Sequence, residues 1–401
     1  MLNLSHVAEQ MELMVARLKV GEKDKSTRLA TALSLLKDKN LDFAKLQDKA
    51  AKSSKTSPFL LAGIVEPLST QKPHISAPAD FSIIATDGSQ VDVDRHQSTR
   101  CFLINIGRVR LDYGQNASAK LESLPLLYAS DKDTVISIGH QEQMIEGPLL
   151  NLKRSVDECR HLVEMATGLP PTQPSLAIID GSLIMWQLSS SEFPDFVVKE
   201  LLDNGFMKYL DGIKSLAQKQ SLSLASYISF PRSVNVVNTL RLLLCPNELA
   251  DCSKHCCYKS IGQRPCDDIY GVQDQDLFFN MLNTGERSAI FTSQAKIVRE
   301  KYGEHTVHFF YLKLEDEIAR IEIPQWIARD TYKLDMTHAL IFDQCLRGNG
   351  YPAALSEAHE QAVVSDSDRE NFQQLLSTWM ADEHLDYASS AKSRSKKTRW
   401  L

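Results

Sequence analysis

The chain contains no apolar run near the roughly 18–20 residues that span a bilayer, which excludes an apolar membrane-crossing helix. It has no GxxxxGK[S/T] loop, so no Walker-type phosphate cradle is encoded and any motor function falls to another chain. Eight cysteines in 401 residues are too few for a disulfide scaffold, and no two of them form a CxxC pair. A basic balance is missing as well. Lys+Arg number 45 against 51 Asp+Glu, a net charge of −6, unlike the positive balance of simple nucleic-acid binders. That average conceals an asymmetry. Residues 389–401 (SSAKSRSKKTRWL) carry five basic side chains and no acid, which leaves −11 on residues 1–388. The N-terminal MLNLSHVAEQMELMV has neither a basic start nor a cleavable apolar stretch, so a cytoplasmic protein is expected.

What is present reads as a large α/β chain. Leu4, Val7, Met11, Met14 and Leu18 recur at helical steps, and Leu29, Leu33 and Leu36 do so again beyond GEKDKS, which suggests a helical hairpin. A Pro-, Ser- and Lys-rich stretch follows, giving an expected N-terminal helical region and linker over 1–75. From Phe81 the period shortens. FSIIATDGS reads as a buried strand ending in a turn, RCFLINIGRVRLDYG as two strands around Gly107, and PSLAIIDGSLI as a further strand. Helices are expected near 148–166 and 196–219, then a strand at LSLASYISF and a helix at VNVVNTLRLLL. HTVHFFYLKL and IARIEIP look like antiparallel strands, and two helices flank GNGYP. Three early strands followed by helix–strand alternation indicate a mixed sheet flanked by helices. The expected main domain is 76–388, with 389–401 as a basic tail.

Two of these strands end alike, in TDGS at Asp87 and IDGS at Asp180. If they lie side by side, two carboxylates converge at a sheet end, where active sites of α/β folds are commonly built. Like charges held close need a cation between them, which points to a divalent metal. Asp-Gly also simply terminates a strand, and that reading stands beside the first. Glu164, on the helix preceding the second strand, offers a third carboxylate or is a solvated helix residue; Asp157 and Glu158 are its neighbours. Tyr351 stands at the helix junction RGNGYP, and His359 follows it by two helical turns.

TDGS at Asp87, a glutamate on the next helix, IIDGSL at Asp180, YISFPRS at 227–233, ARIEIPQWI and GNGYPAALSEAHEQAV resemble, in order, the NurA nuclease family. The similarity runs from about residue 80 to residue 365. It implies an RNase H-like core and a manganese- or magnesium-dependent deoxyribonuclease. The implied activity is 5′–3′ exonuclease on DNA ends and single-strand endonuclease, in double-strand break resection. It further implies a homodimer working with a hexameric HerA-type ATPase translocase. Asp87, Glu164 and Asp180 match the family's metal-binding carboxylates, and Tyr351 and His359 its C-terminal active-site pair, with His359 a metal ligand or proton shuttle. Arg232 is either a phosphate contact or a member of a structural ion pair. A catalytically silent DNA clamp and an RNase H-like hydrolase acting on RNA are the alternatives.

Five cysteines cluster within 22 residues: Cys245, Cys252, Cys256, Cys257 and Cys266. In a reducing compartment such clustering suggests Zn²⁺ or an iron–sulfur cluster, with free thiols in a loop as the other reading.

Overall fold

The computed structural model describes residues 2–38, 42–92, 101–189 and 192–383. The basic tail lies outside them. The chain is α/β and divides into two compact units, the first formed by 1–74, 228–299 and 306–322, the second by 75–227, 300–305 and 323–401.

In the first unit the N-terminal segment is one 33-residue helix, Leu4–Leu36, followed by a second helix, Phe43–Ser53. The break expected at GEKDKS does not occur. Its glutamate and lysines are good helix formers, and one internal glycine costs only about 1 kcal/mol. Asp24 and Arg28 also face each other one turn apart. Ala32 and Leu36 at the far end join Leu46 and Ala50 in a core with Val236, Val237 and Leu240 of the helix Asn235–Leu244. Strands Ala62–Ile64, Phe291–Ser293, Val307–Lys313 and Ile318–Pro324 lie in that order in this unit's sheet.

The second unit carries the residues singled out by their chemistry. Its strands are β1 (Phe81–Asp92), β2 (Phe102–Tyr113) and β3 (Ser118–Tyr128), then β4 (Ser175–Asp180) after helix α1 (Pro148–Ala166), then β5 (Leu222–Ile228). They are ordered β3-β2-β1-β4-β5. β1–β2 and β2–β3 are antiparallel hairpin pairings, whereas β1–β4 and β4–β5 are parallel, with α1 as the crossover into β4. Gly107 does not divide the second strand, which runs unbroken through it. Nor does TDGS end the first: β1 continues to Asp92, so Asp87 sits inside a strand and only Asp180 sits at a strand end. β1 outlasts its parallel neighbour because β2 pairs with it along all twelve residues.

After β5, and before a later helix at Asp366–Asp382, the unit adds helices α2 (Thr331–Arg347) and α3 (Ala353–Ala362). The turn between them holds Asn349 at φ 55° and Gly350 at φ 102°. Both values lie in the left-handed region that Gly and Asn tolerate best. α3 packs across β1 and β2. Its approach at Gly107 is so close that a Cβ there would lie 2.1 Å from the carbonyl oxygen of Ala358. Only glycine fits.

Candidate active site

Parallel pairing of β1 with β4 aligns Thr86 with Ile179, so the next residues along, Asp87 and Asp180, are neighbours at the same edge. α1 is fixed against that edge by Thr86, whose hydroxyl donates to the carbonyl of Glu158 at 3.0 Å. Gly88 makes the approach possible: a Cβ on it would meet Glu158 Oε1 at 2.6 Å and Arg154 Cγ at 2.8 Å. The glycine of the first Asp-Gly-Ser therefore works as clearance for a helix rather than as a turn.

The acid that α1 delivers to this cluster is Glu158, not Glu164. Six residues along a helix rotate the side chain by about 240°, which points Glu164 elsewhere. Glu164 is exposed and lies 3.0 Å from His161 Nδ1. Glu158 is buried, and its carboxyl is pushed up to about 8. Desolvation is the largest cause; Arg154 opposes it, and the charges of Asp87 and Asp180 add to it. Asp157, the residue before, turns to the other side of the helix, where it is buried and bonded by Tyr128 Oη and Lys153 Nζ, each at 2.8 Å.

α3 brings His359 over β1, with Nδ1 2.9 Å from Asp87 Oδ2. Asp87 Oδ1 accepts from the Gly88 amide at 2.8 Å. Tyr351 donates to Asp180, and its hydroxyl is held far above the usual phenol range by burial and by that carboxylate. Its ring stands edge-on to Tyr227 at 5.4 Å, and Tyr227 Oη reaches the carbonyl of Gly350 at 3.4 Å. The Asp180 carboxyl is itself raised, by desolvation first and by Asp87, against the lowering effect of the Tyr351 hydrogen bond. Residue 180 is solvent-accessible at the strand end while its carboxyl sits among packed groups.

Asp87, Asp180, Tyr351 and His359 thus converge, with Glu158 beside them and Glu164 apart. The sequence carries no signal that separates the two glutamates, since Lys153, Arg154 and Arg160 each precede an acid by four residues.

Among the described residues no three His, Cys, Asp or Glu side chains are already drawn together into a metal-holding group. The chemistry of the acid cluster nevertheless fits a hard divalent cation. Three carboxyls share one edge, two of them are raised by desolvation first and by neighbouring carboxylate charge, and buried Glu158 Oε1 has no hydrogen-bond partner. The cysteine segment is different. Cys257 is exposed, and Cys266 Sγ faces Arg241 Nη2 at 3.6 Å. Lacking a CxxC hairpin, the loop is pinned by Asp267, which pairs with Arg241 and Arg264. The thiols expected as Zn²⁺ or iron–sulfur ligands form no ligand set there. Arg232, in the first unit, is exposed and makes no ion pair among the described residues. Glu322, also in that unit, is buried against Arg320 at 2.9 Å.

A family model described as the NurA domain matches residues 81–364. A search of curated proteins finds no match. One solved structure, the crystal structure of prototype foamy virus protease–reverse transcriptase, is similar at 14% identity, with 38% of this chain and 18% of that chain covered. Its TM-score is 0.21, and that likeness carries no argument. No helix among the described residues is long and apolar enough to cross a membrane.

Proposed function

Because this chain belongs to the NurA domain family, a family of nucleases, we propose that it hydrolyses DNA phosphodiester bonds with Mn²⁺ or Mg²⁺. The observation that carries this reading is the convergence of Asp87, Glu158 and Asp180 at one sheet edge, with His359 paired to Asp87. The antiparallel–antiparallel–parallel–parallel sheet supports an RNase H-like core.

Asp87, Glu158 and Asp180 are the residues that would hold the cations; Glu164 is not among them. Divalent cations bound there would polarise a phosphate and lower the pKa of a coordinated water. The protein's own groups divide the remaining work. His359 Nδ1 carries its proton toward Asp87, which leaves Nε2 as the nitrogen that accepts or returns a proton. Asp87 fixes that tautomer. Tyr351 donates to Asp180 and so holds one carboxylate in a single orientation. A silent DNA clamp would have no need of the His359–Asp87 pair, which favours the enzyme.

As the finer reading, the enzyme acts on DNA ends as a 5′–3′ exonuclease and single-strand endonuclease in break resection. It does so as a homodimer fed by a HerA-type translocase. The absence of a P-loop in this chain agrees with a separate motor. The test is cleavage of labelled single- and double-stranded DNA and RNA with Mn²⁺, Mg²⁺ or EDTA. Divalent-dependent DNA products are expected; cleavage confined to RNA, or none of any substrate, contradicts the proposal.

A further inference from the structure

We infer that Arg154 contacts a phosphate of the DNA substrate at the edge formed by Asp87, Glu158 and Asp180; this rests on the nuclease reading above. Two ion pairs run in parallel along α1, each spanning four residues. Lys153–Asp157 is closed at 2.8 Å, and Tyr128 Oη completes the carboxylate's bonding. Arg154–Glu158 is not closed. Arg154 Nε lies 3.1 Å from Glu158 Oε1, yet neither buried atom makes a hydrogen bond.

A pair that existed to stabilise the helix would resemble the first. The second instead holds a guanidinium in reserve. Its stem packs on Gly88, its side chain is 31% exposed, and its Nη nitrogens have no protein partner among the described residues. A planar fork of donors with free Nη groups matches phosphate oxygens bidentately. Placement counts too. An anion approaching three carboxylates needs positive charge beyond the cations, and the Arg154 guanidinium stands at that edge, 3.1 Å from Glu158 Oε1.

The test is fluorescence anisotropy of labelled single-stranded DNA in EDTA across a salt series, so that binding is read apart from cleavage. Replacing one phosphate contact on a single strand reduces the slope of log affinity against log salt by about 0.7. Arg154→Gln is expected to show that smaller slope and about 5–10-fold weaker binding, as loss of one charged contact implies. Arg154→Lys is expected to keep the slope while raising KM for cleavage, since the charge remains and the fork does not. Lys153→Gln, whose cation is already satisfied, is expected to leave the slope unchanged. Thermal melts establish that each variant is folded, and Arg154→Lys carries the test if Arg154→Gln does not fold. Unaltered affinity and slope in Arg154→Gln, or an unaltered KM in Arg154→Lys, would overturn the inference. Wild-type protein that binds DNA but never cleaves it would contradict the nuclease reading instead.

Discussion

His359 Nδ1 lies 2.9 Å from Asp87 Oδ2 across 272 residues of sequence. The contact depends on α3 lying flat on the sheet at Gly107, opposite Asp87 in the β1–β2 register. A residue of α3 thereby becomes a partner of β1, and the imidazole is left with one exposed nitrogen.

Removing that nitrogen is expected to remove proton transfer. His359→Ala should lower the cleavage rate by about 10²–10⁴-fold, the usual contribution of a general acid or base, with DNA binding in EDTA unchanged. Single-turnover cleavage alongside an anisotropy titration separates the two effects.

Gly107→Ala places a methyl 2.1 Å from the Ala358 carbonyl, a backbone atom that cannot rotate away. α3 must lift, so a loss of about 1–3 kcal/mol is expected from overpacking. Activity should fall as well, because His359 moves with the helix. Urea denaturation and cleavage assays on the same preparation check both. An active and fully stable Gly107→Ala would show that α3 need not lie against β2.

Glu158 and Glu164 make opposite predictions. Glu158→Gln is expected to abolish divalent-dependent cleavage and weaken Mn²⁺ binding by calorimetry, whereas Glu164→Gln should retain both. The reverse pattern would restore Glu164 as the metal-site acid.

The same carboxyl gives a pH dependence. Its folded pKa, about 8, stands above the ordinary value of 4.5. The stability it contributes is therefore complete below about pH 4.5 and is lost as pH rises toward about 8. Metal-free wild type should lose stability relative to Glu158→Gln over that interval. At about 1.4 kcal/mol per pKa unit the difference reaches a few kcal/mol. Melting curves in EDTA at stepped pH provide the measurement.

Much of this was legible in the sequence, and the reasons differ by residue. Asp87 and Asp180 stood out because each follows a short apolar run and precedes glycine, a local pattern. Tyr351 and His359 came from the similarity to a family; nothing in their spacing shows that α3 crosses the sheet. Glu158 and Glu164 are not separable in the sequence, because a sequence does not say which helix face meets the strand. Gly88 and the Thr86–Glu158 bond fix that phase, and both are tertiary facts. Asp-Gly-Ser in β1 looked like a turn because glycine's lack of a side chain serves turns and close approaches equally. The net charge of −6 excluded little, since part of the acidity is the candidate metal site itself.

The most direct test of a metal-dependent nuclease centre at Asp87 is cleavage of end-labelled linear DNA with Mn²⁺, comparing wild type with Asp87→Asn purified in parallel. Asp87 touches both His359 and the carboxyl cluster, so the expected result is product with wild type, none in EDTA, and none with Asp87→Asn. Equal cleavage by Asp87→Asn and wild type, or cleavage that persists in EDTA, would contradict it.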